Sequence, residues 1–149
     1  MEMDWEREFK GYETNLEPDK RERAYAWMTA IGLQSVDGLQ ASSFLRQTAR
    51  RNIEGEITQS EAVRLVEEYY DTKEGMSLPA DVHEADVVAA RLGVLISEPT
   101  FSMAPEFLYL IHHRLFSGLF PHAGLGRIMN IAKKEWVLNG DTVYYREAC

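Results

Sequence analysis

Cysteine is almost absent from this chain: the single one is Cys149, so neither an internal disulfide nor a cysteine-built metal site can form. That usage points to a reducing, cytoplasmic setting. Basic residues are the minority, sixteen against twenty-four acidic, for a formal net charge of −8. A surface of that sign repels phosphate backbones and anionic lipid, which argues against general nucleic-acid or membrane binding. The clusters Arg46/Arg50/Arg51 and Lys133/Lys134 are short local exceptions. Long apolar runs are missing too, and nothing approaches the roughly 20 residues that cross a bilayer. The acidic opening MEMDWEREFKGYE lacks the charged-then-apolar layout of a signal peptide, so a soluble, non-secreted protein is expected. Walker loops, GxSxG, HExxH and GxGxxG do not occur, which removes the motif-borne phosphate, hydrolase and zinc-protease chemistries.

What remains is helical patterning. With 149 residues the chain is long enough for one ordinary domain with a real core. Residues 1–18 are polar and without period and read as a mobile arm, with Trp5 and Phe9 as residues that could dock it. From Asp19 to Val36 the apolar positions Ala24, Trp27, Met28, Ile31 and Val36 keep helical spacing, and Asp37-Gly38 breaks it. Ser42/Ser43 stand at the N-cap of a second helix through about Arg51, with Phe44, Leu45 and Ala49 on its apolar side. Thr58-Gln-Ser-Glu61 is a capping-box pattern that starts a third helix, whose face runs through Ala62, Leu65, Val66, Tyr69 and Tyr70. Residues 19–72 thus form an N-terminal helical unit, and residues 73–82, with Gly75 and Pro79, read as a linker. A fourth helix is expected over Glu84–Ser97 and a fifth from Pro105 to Phe116. Trp136–Leu138 and Thr142–Tyr145 are strand-prone runs around Asn139-Gly140, the strongest two-residue hairpin signal.

The four histidines are His83, His112, His113 and His122. On a helix His112 and His113 point about 100° apart and cannot clamp one ion together. A metal site from His112, His122 and a carboxylate is weighed against packing or surface histidines, and packing is favoured, so no metal site is assigned. The aromatics Tyr69, Tyr70, Phe107, Tyr109, Phe116 and Phe120 read as core. The run Lys133-Lys134-Glu135 reads as a solvated turn.

Ile111-His112-xx-Leu115-Phe116, then Ala123-Gly124-xx-Arg127-xxx-Ile131, then KKEWVLNGDTVYY, resemble the front half of a Fic domain. Upstream, AIGLQSVDGL and NIEGEITQSEAVRLVEEYY resemble the antitoxin-like helical region that precedes the Fic core in a bacterial subgroup. The resemblance covers roughly residues 20–145. It implies a mainly α fold, in which an N-terminal helical unit precedes the first helices and β-hairpin flap of a Fic fold, the latter over residues 83–149. It also implies transfer of AMP from ATP to a hydroxyl of a target protein, with ATP and Mg²⁺ used by the complete family domain.

The family's loop HPFx[DE]GNxR, which supplies the base, the metal ligand and the phosphate cradle, does not occur in these residues. The chain is therefore expected to be an N-terminal portion of such an enzyme, with no catalytic residue or cofactor of its own and inactive alone. By the same resemblance Glu135, Trp136, Val137, Leu138, Asn139, Gly140, Asp141, Thr142, Val143, Tyr144 and Tyr145 correspond to the flap that docks a target segment by strand addition. Lys133 and Lys134 fall near the nucleotide. Related helical regions carry an inhibitory [ST]xxxE[GN] motif; Asp37-Gly38 and Glu54-Gly55 are its candidates here, each weighed against a plain helix end. The alternative to an enzyme portion is a stand-alone antitoxin-like or interaction protein that binds and regulates a Fic partner through residues 20–72. Uncovered apolar surface is expected to favour self-association.

Overall fold

A computed structural model describes residues 4–98, 104–126, 132–134 and 142–144. Among these the chain is mainly helical, and it divides into two compact units, residues 1–103 and 104–149. The first unit holds α1 (Asp4–Lys10), α2 (Pro18–Val36), α3 (Ser43–Ile53), α4 (Gln59–Tyr69), α5 (Lys73–Met76) and α6 (Ala80–Ser97).

The starts of these helices follow from their residues. Pro18 opens α2, where its missing N–H costs nothing. Ser42 caps α3 by accepting from the Leu45 amide, 3.1 Å away. Thr58 and Glu61 form the expected capping box on α4: the Glu61 amide donates to the Thr58 hydroxyl and the Thr58 amide donates to the Glu61 carboxylate. Four helices then close a core. Trp27 and Ile31 of α2, Leu45 and Ile53 of α3 and Val66 of α4 are fully buried, each large side chain contributing about 1.5–3 kcal/mol relative to exposure. The helices α2 and α6 pack on one another, and both bury small residues, among them Ala30 of α2 and Ala85 and Ala89 of α6.

Four expectations change in this unit. Within the arm expected over 1–18, residues 4–10 are helical and Phe9 is fully buried, because one aromatic side chain outweighs the polarity of its neighbours. Within the linker expected over 73–82 lies α5, capped by Thr72, whose hydroxyl accepts from the Gly75 amide. The helix α6, expected to open the second group at residue 83, packs instead on α2 and α4, since its valines and alanines are buried there. Val36, placed on the apolar face of α2, is 83% exposed because the helix ends beyond the reach of its neighbours.

The second unit contains α7 (Pro105–Phe116), β1 (Ala132–Lys134) and β2 (Thr142–Tyr144). Pro105 and Glu106 open α7, and His113 and Arg114 close it, in accord with the helix dipole. None of its residues is fully buried, and Leu108, Tyr109 and Leu110 are exposed, which corrects the expectation that Tyr109 belongs to a core. The strands pair antiparallel, Ala132 with Tyr144, Lys133 with Val143 and Lys134 with Thr142. A two-residue turn at Asn139-Gly140 would set Leu138 opposite Asp141. The partner of Thr142–Tyr144 is therefore Ala132–Lys134 and not Trp136–Leu138. Lys133 and Lys134 lie on a strand rather than in a solvated turn. Residues 135–141 and 145 of the expected flap lie outside the described residues.

Candidate functional sites

The two acid–glycine pairs hold the same local geometry. At the end of α2 the Gly38 amide donates to Ser35 O at 3.0 Å and the Leu39 amide to Gln34 O at 3.0 Å, with Gly38 at φ +78°. At the end of α3 the Gly55 amide donates to Asn52 O and the Glu56 amide to Arg51 O, with Gly55 at φ +83°. Both are Schellman closures, which need a residue free to adopt the left-handed region. The acid before each glycine is thus the C-cap residue. Asp37 is exposed. Glu54 is engaged: it accepts from the Tyr12 hydroxyl and pairs with Lys20 at 3.1 Å. Those two hydrogen bonds, Tyr12 first and Lys20 second, hold the Glu54 carboxyl below its ordinary range, while burial and the same contact push the Tyr12 hydroxyl up to about 12.

A second polar cluster lies inside the first unit and has no sequence signature. Asp86 of α6 is fully buried. It accepts from the Ser42 amide at 2.8 Å, the Ser42 hydroxyl at 2.5 Å and the Tyr70 hydroxyl at 2.6 Å. His83, one turn earlier, stacks on Tyr70 with centroids 4.1 Å apart. Burial pushes the Asp86 carboxyl above its ordinary range, and the donors from Ser42 and Tyr70 pull the other way. Burial, followed by the bond to Asp86, also raises the Tyr70 hydroxyl. The cluster joins the N-cap of α3, the end of α4 and the middle of α6. Ser42 is committed as a cap acceptor and as a donor to Asp86, so it is not poised as a nucleophile.

In the second unit the Gly124 amide donates to His112 Nδ1 at 2.9 Å, which leaves the neutral ring with its proton on Nε2. His113 Nδ1 lies 3.3 Å from Ala123 O. A ladder of rings runs from His112 to Phe116, Phe120 and His122, with neighbouring centroids 4.8, 5.8 and 5.5 Å apart. Gly124, at φ +78°, has space for no side chain, because a Cβ there would stand 2.7 Å from His113 Cβ. These contacts fold the turn after α7 back onto the helix.

A metal and a nucleotide need a built site. Among the described residues no three histidine, cysteine or acidic side chains come together to hold a metal ion. Among the described residues the glycines with positive φ, at 38, 55, 118 and 124, follow helix ends or lie in the turn after α7. The described residues bring Lys133 and Lys134 onto β1 and Thr142–Tyr144 opposite them, and they place Asp37 and Glu54 at separate helix ends. Among the described residues no helix is long and apolar enough to cross a membrane. The chain matches no family model, no curated protein and no solved structure in the three comparisons.

Proposed function

We propose that these residues carry the regulatory helices and the target-docking strand pair of a Fic-type AMP-transfer system, whose chemistry is supplied by an HPFx[DE]GNxR loop outside them. The observation that carries the reading is the order of features after residue 104. The helix α7, a glycine-marked turn folded against His112 and His113, and an antiparallel pair ending in exposed Thr142 and Tyr144 follow one another, an order that supports this reading. Short paired strands with exposed ends suit strand addition by an extended target segment, since backbone amides and carbonyls give affinity without a preformed pocket. Lys133 and Lys134 fall on the partner strand, in an otherwise acidic chain.

The chemistry is nucleotidyl transfer to a hydroxyl, which needs an anion cradle, a metal and a positioned base. Incubation of the 149-residue chain with α-labelled ATP, Mg²⁺ and a cell lysate therefore leaves all proteins unlabelled. Incorporation of label by the chain alone would overturn the proposal.

A second reading, a regulatory module that binds a separate Fic protein, is favoured by one observation: residues 1–103 close their own core, with Trp27, Ile31, Leu45, Ile53 and Val66 fully buried. In that reading the exposed Asp37 is the better placed of the two acids to meet an arginine in trans, because Glu54 is already held by Tyr12 and Lys20. Titration of a loop-bearing Fic protein with the chain separates the two: Asp37→Ala weakens inhibition if Asp37 acts, and leaves it unchanged if it is only a helix cap.

A further inference from the structure

The helix α1 is tied to the first unit in an unusual way. It has seven residues, too few to hold a helix alone in water, so its order comes from its seat. The seat is small and chemically distinctive. Phe9 is fully buried. Glu8 accepts from Arg50 at 2.6 Å and lies 3.6 Å from Arg46, both on α3. Tyr12, just past the helix, donates to Glu54 at the end of α3. The Trp5 ring lies 3.4 Å from where a Cβ on Gly32 of α2 would stand.

The fit is also incomplete. A groove of about 570 Å³ remains between α1 and α2, lined by Trp5, Lys10, Ala24, Tyr25 and Met28 among others, and the buried Trp5 Nε1 has no acceptor among the described residues. Residues 11–17, which join α1 to α2, are largely exposed and end beside Leu16 at 92% exposure. An element of this kind, with two aromatic anchors, surface ion pairs and an exposed connection, opens locally before the core does.

From this geometry we propose that α1 is an exchangeable strap, and that its seat on α2 and α3 accepts the strap of a second copy of this chain to give a strap-exchanged dimer. Each seat specifies its occupant by a buried aromatic, a carboxylate one position earlier for Arg46 and Arg50, and a phenol three positions later for Glu54. The second copy supplies those groups in the same order, so the contacts between strap and seat are regenerated in the exchanged form. Closure within one chain is favoured by its effective concentration, about millimolar for a short flexible connection, so the single copy dominates in dilute solution. Exchange rises with protein concentration and with salt, which screens the Glu8 pairs while the strap is open.

Charge reversal tests this without altering the core. One full-length variant carries Glu8→Arg, whose strap is repelled by Arg46 and Arg50 of its own seat. The other carries Arg46→Gln and Arg50→Glu, whose seat repels its own Glu8. Each alone is monomeric in native mass spectrometry, with the amides of residues 5–12 exchanging at least tenfold faster than in the parent. Mixed in equal amounts, with one partner isotopically labelled, they form a heterodimer and part of that protection returns. Adding Phe9→Ala to the Glu8→Arg chain abolishes the heterodimer. If the double seat change lowers the helical content, Arg50→Glu alone is mixed in its place and read in the same way. A mixture that stays monomeric, or a heterodimer that persists with Phe9→Ala, overturns the proposal.

Discussion

Asp86 is the residue on which the first unit most depends, and its surroundings explain why. A fully buried carboxylate is tolerated only where donors converge on it, and here Ser42 and Tyr70 provide three. Asp86→Ala strands a buried amide and a phenol, and is expected to lower unfolding stability by about 2–4 kcal/mol in urea titration. Asp86→Asn keeps an acceptor and costs less. The glycines make a sharper steric case. A Cβ at Gly75 would stand 2.1 Å from the Tyr69 carbonyl oxygen, so Gly75→Ala forces the backbone between α4 and α5 to move and lowers the melting temperature. Gly38→Ala meets no neighbour and is penalised only by its left-handed backbone, at about 1 kcal/mol.

At the scale of elements, helix ends set the acid response. Glu54 is held below its ordinary value of 4.5 by Tyr12 and then Lys20, and Glu61 by the Thr58 amide and hydroxyl. The folded state therefore binds these protons less readily than the unfolded chain. Their contribution is present above pH 4.5 and is lost as pH falls through the lowered folded values. Asp86 has the opposite sign. Burial raises it above 3.8, so the folded form holds its proton more tightly and loses stability as pH rises through the window above 3.8. Asp86→Asn removes that opposing slope, and chemical denaturation at pH 3 to 6 is expected to show a steeper loss on acidification than in the parent. Thr58→Ala removes the cap, with a loss of about 1 kcal/mol at neutral pH and a shallower acid slope.

The same scale explains what was legible in the sequence. Caps and periodicity marked α2, α3, α4 and α7, because Pro18, Ser42, Thr58 and Pro105 act within one turn of the chain. Asp37-Gly38 and Glu54-Gly55 were visible as stops for the same reason. The order of α1 was not, since it depends on Phe9 meeting residues far along the chain. Asp86 carries no local sign of its partners at Ser42 and Tyr70. The strand register was misread because Asn139-Gly140 favours a turn by its own geometry, whereas the observed pairing joins Lys134 with Thr142.

For the whole molecule, a closed core in residues 1–103 predicts that this segment, expressed alone, keeps the helical circular dichroism and cooperative melting of its part of the chain. Loss of cooperativity on removing residues 104–149 would show that the first unit is not self-sufficient. The exposed Leu108, Tyr109, Leu110 and Leu125 of the second unit are expected to make the full chain more prone to concentration-dependent association than residues 1–103, as read by sedimentation velocity.

The proposed role of these helices and paired strands is to serve an AMP-transfer reaction whose catalytic loop lies outside the described residues. Its most direct test is the yield of label from α-labelled ATP and Mg²⁺ on protein hydroxyls, catalysed by a loop-bearing Fic protein, with and without this chain. No label is expected from the chain alone, and a saturable change in the partner's yield is expected when the chain is added. A partner whose yield is unmoved by any amount of the chain, or label transferred by the chain itself, would contradict it.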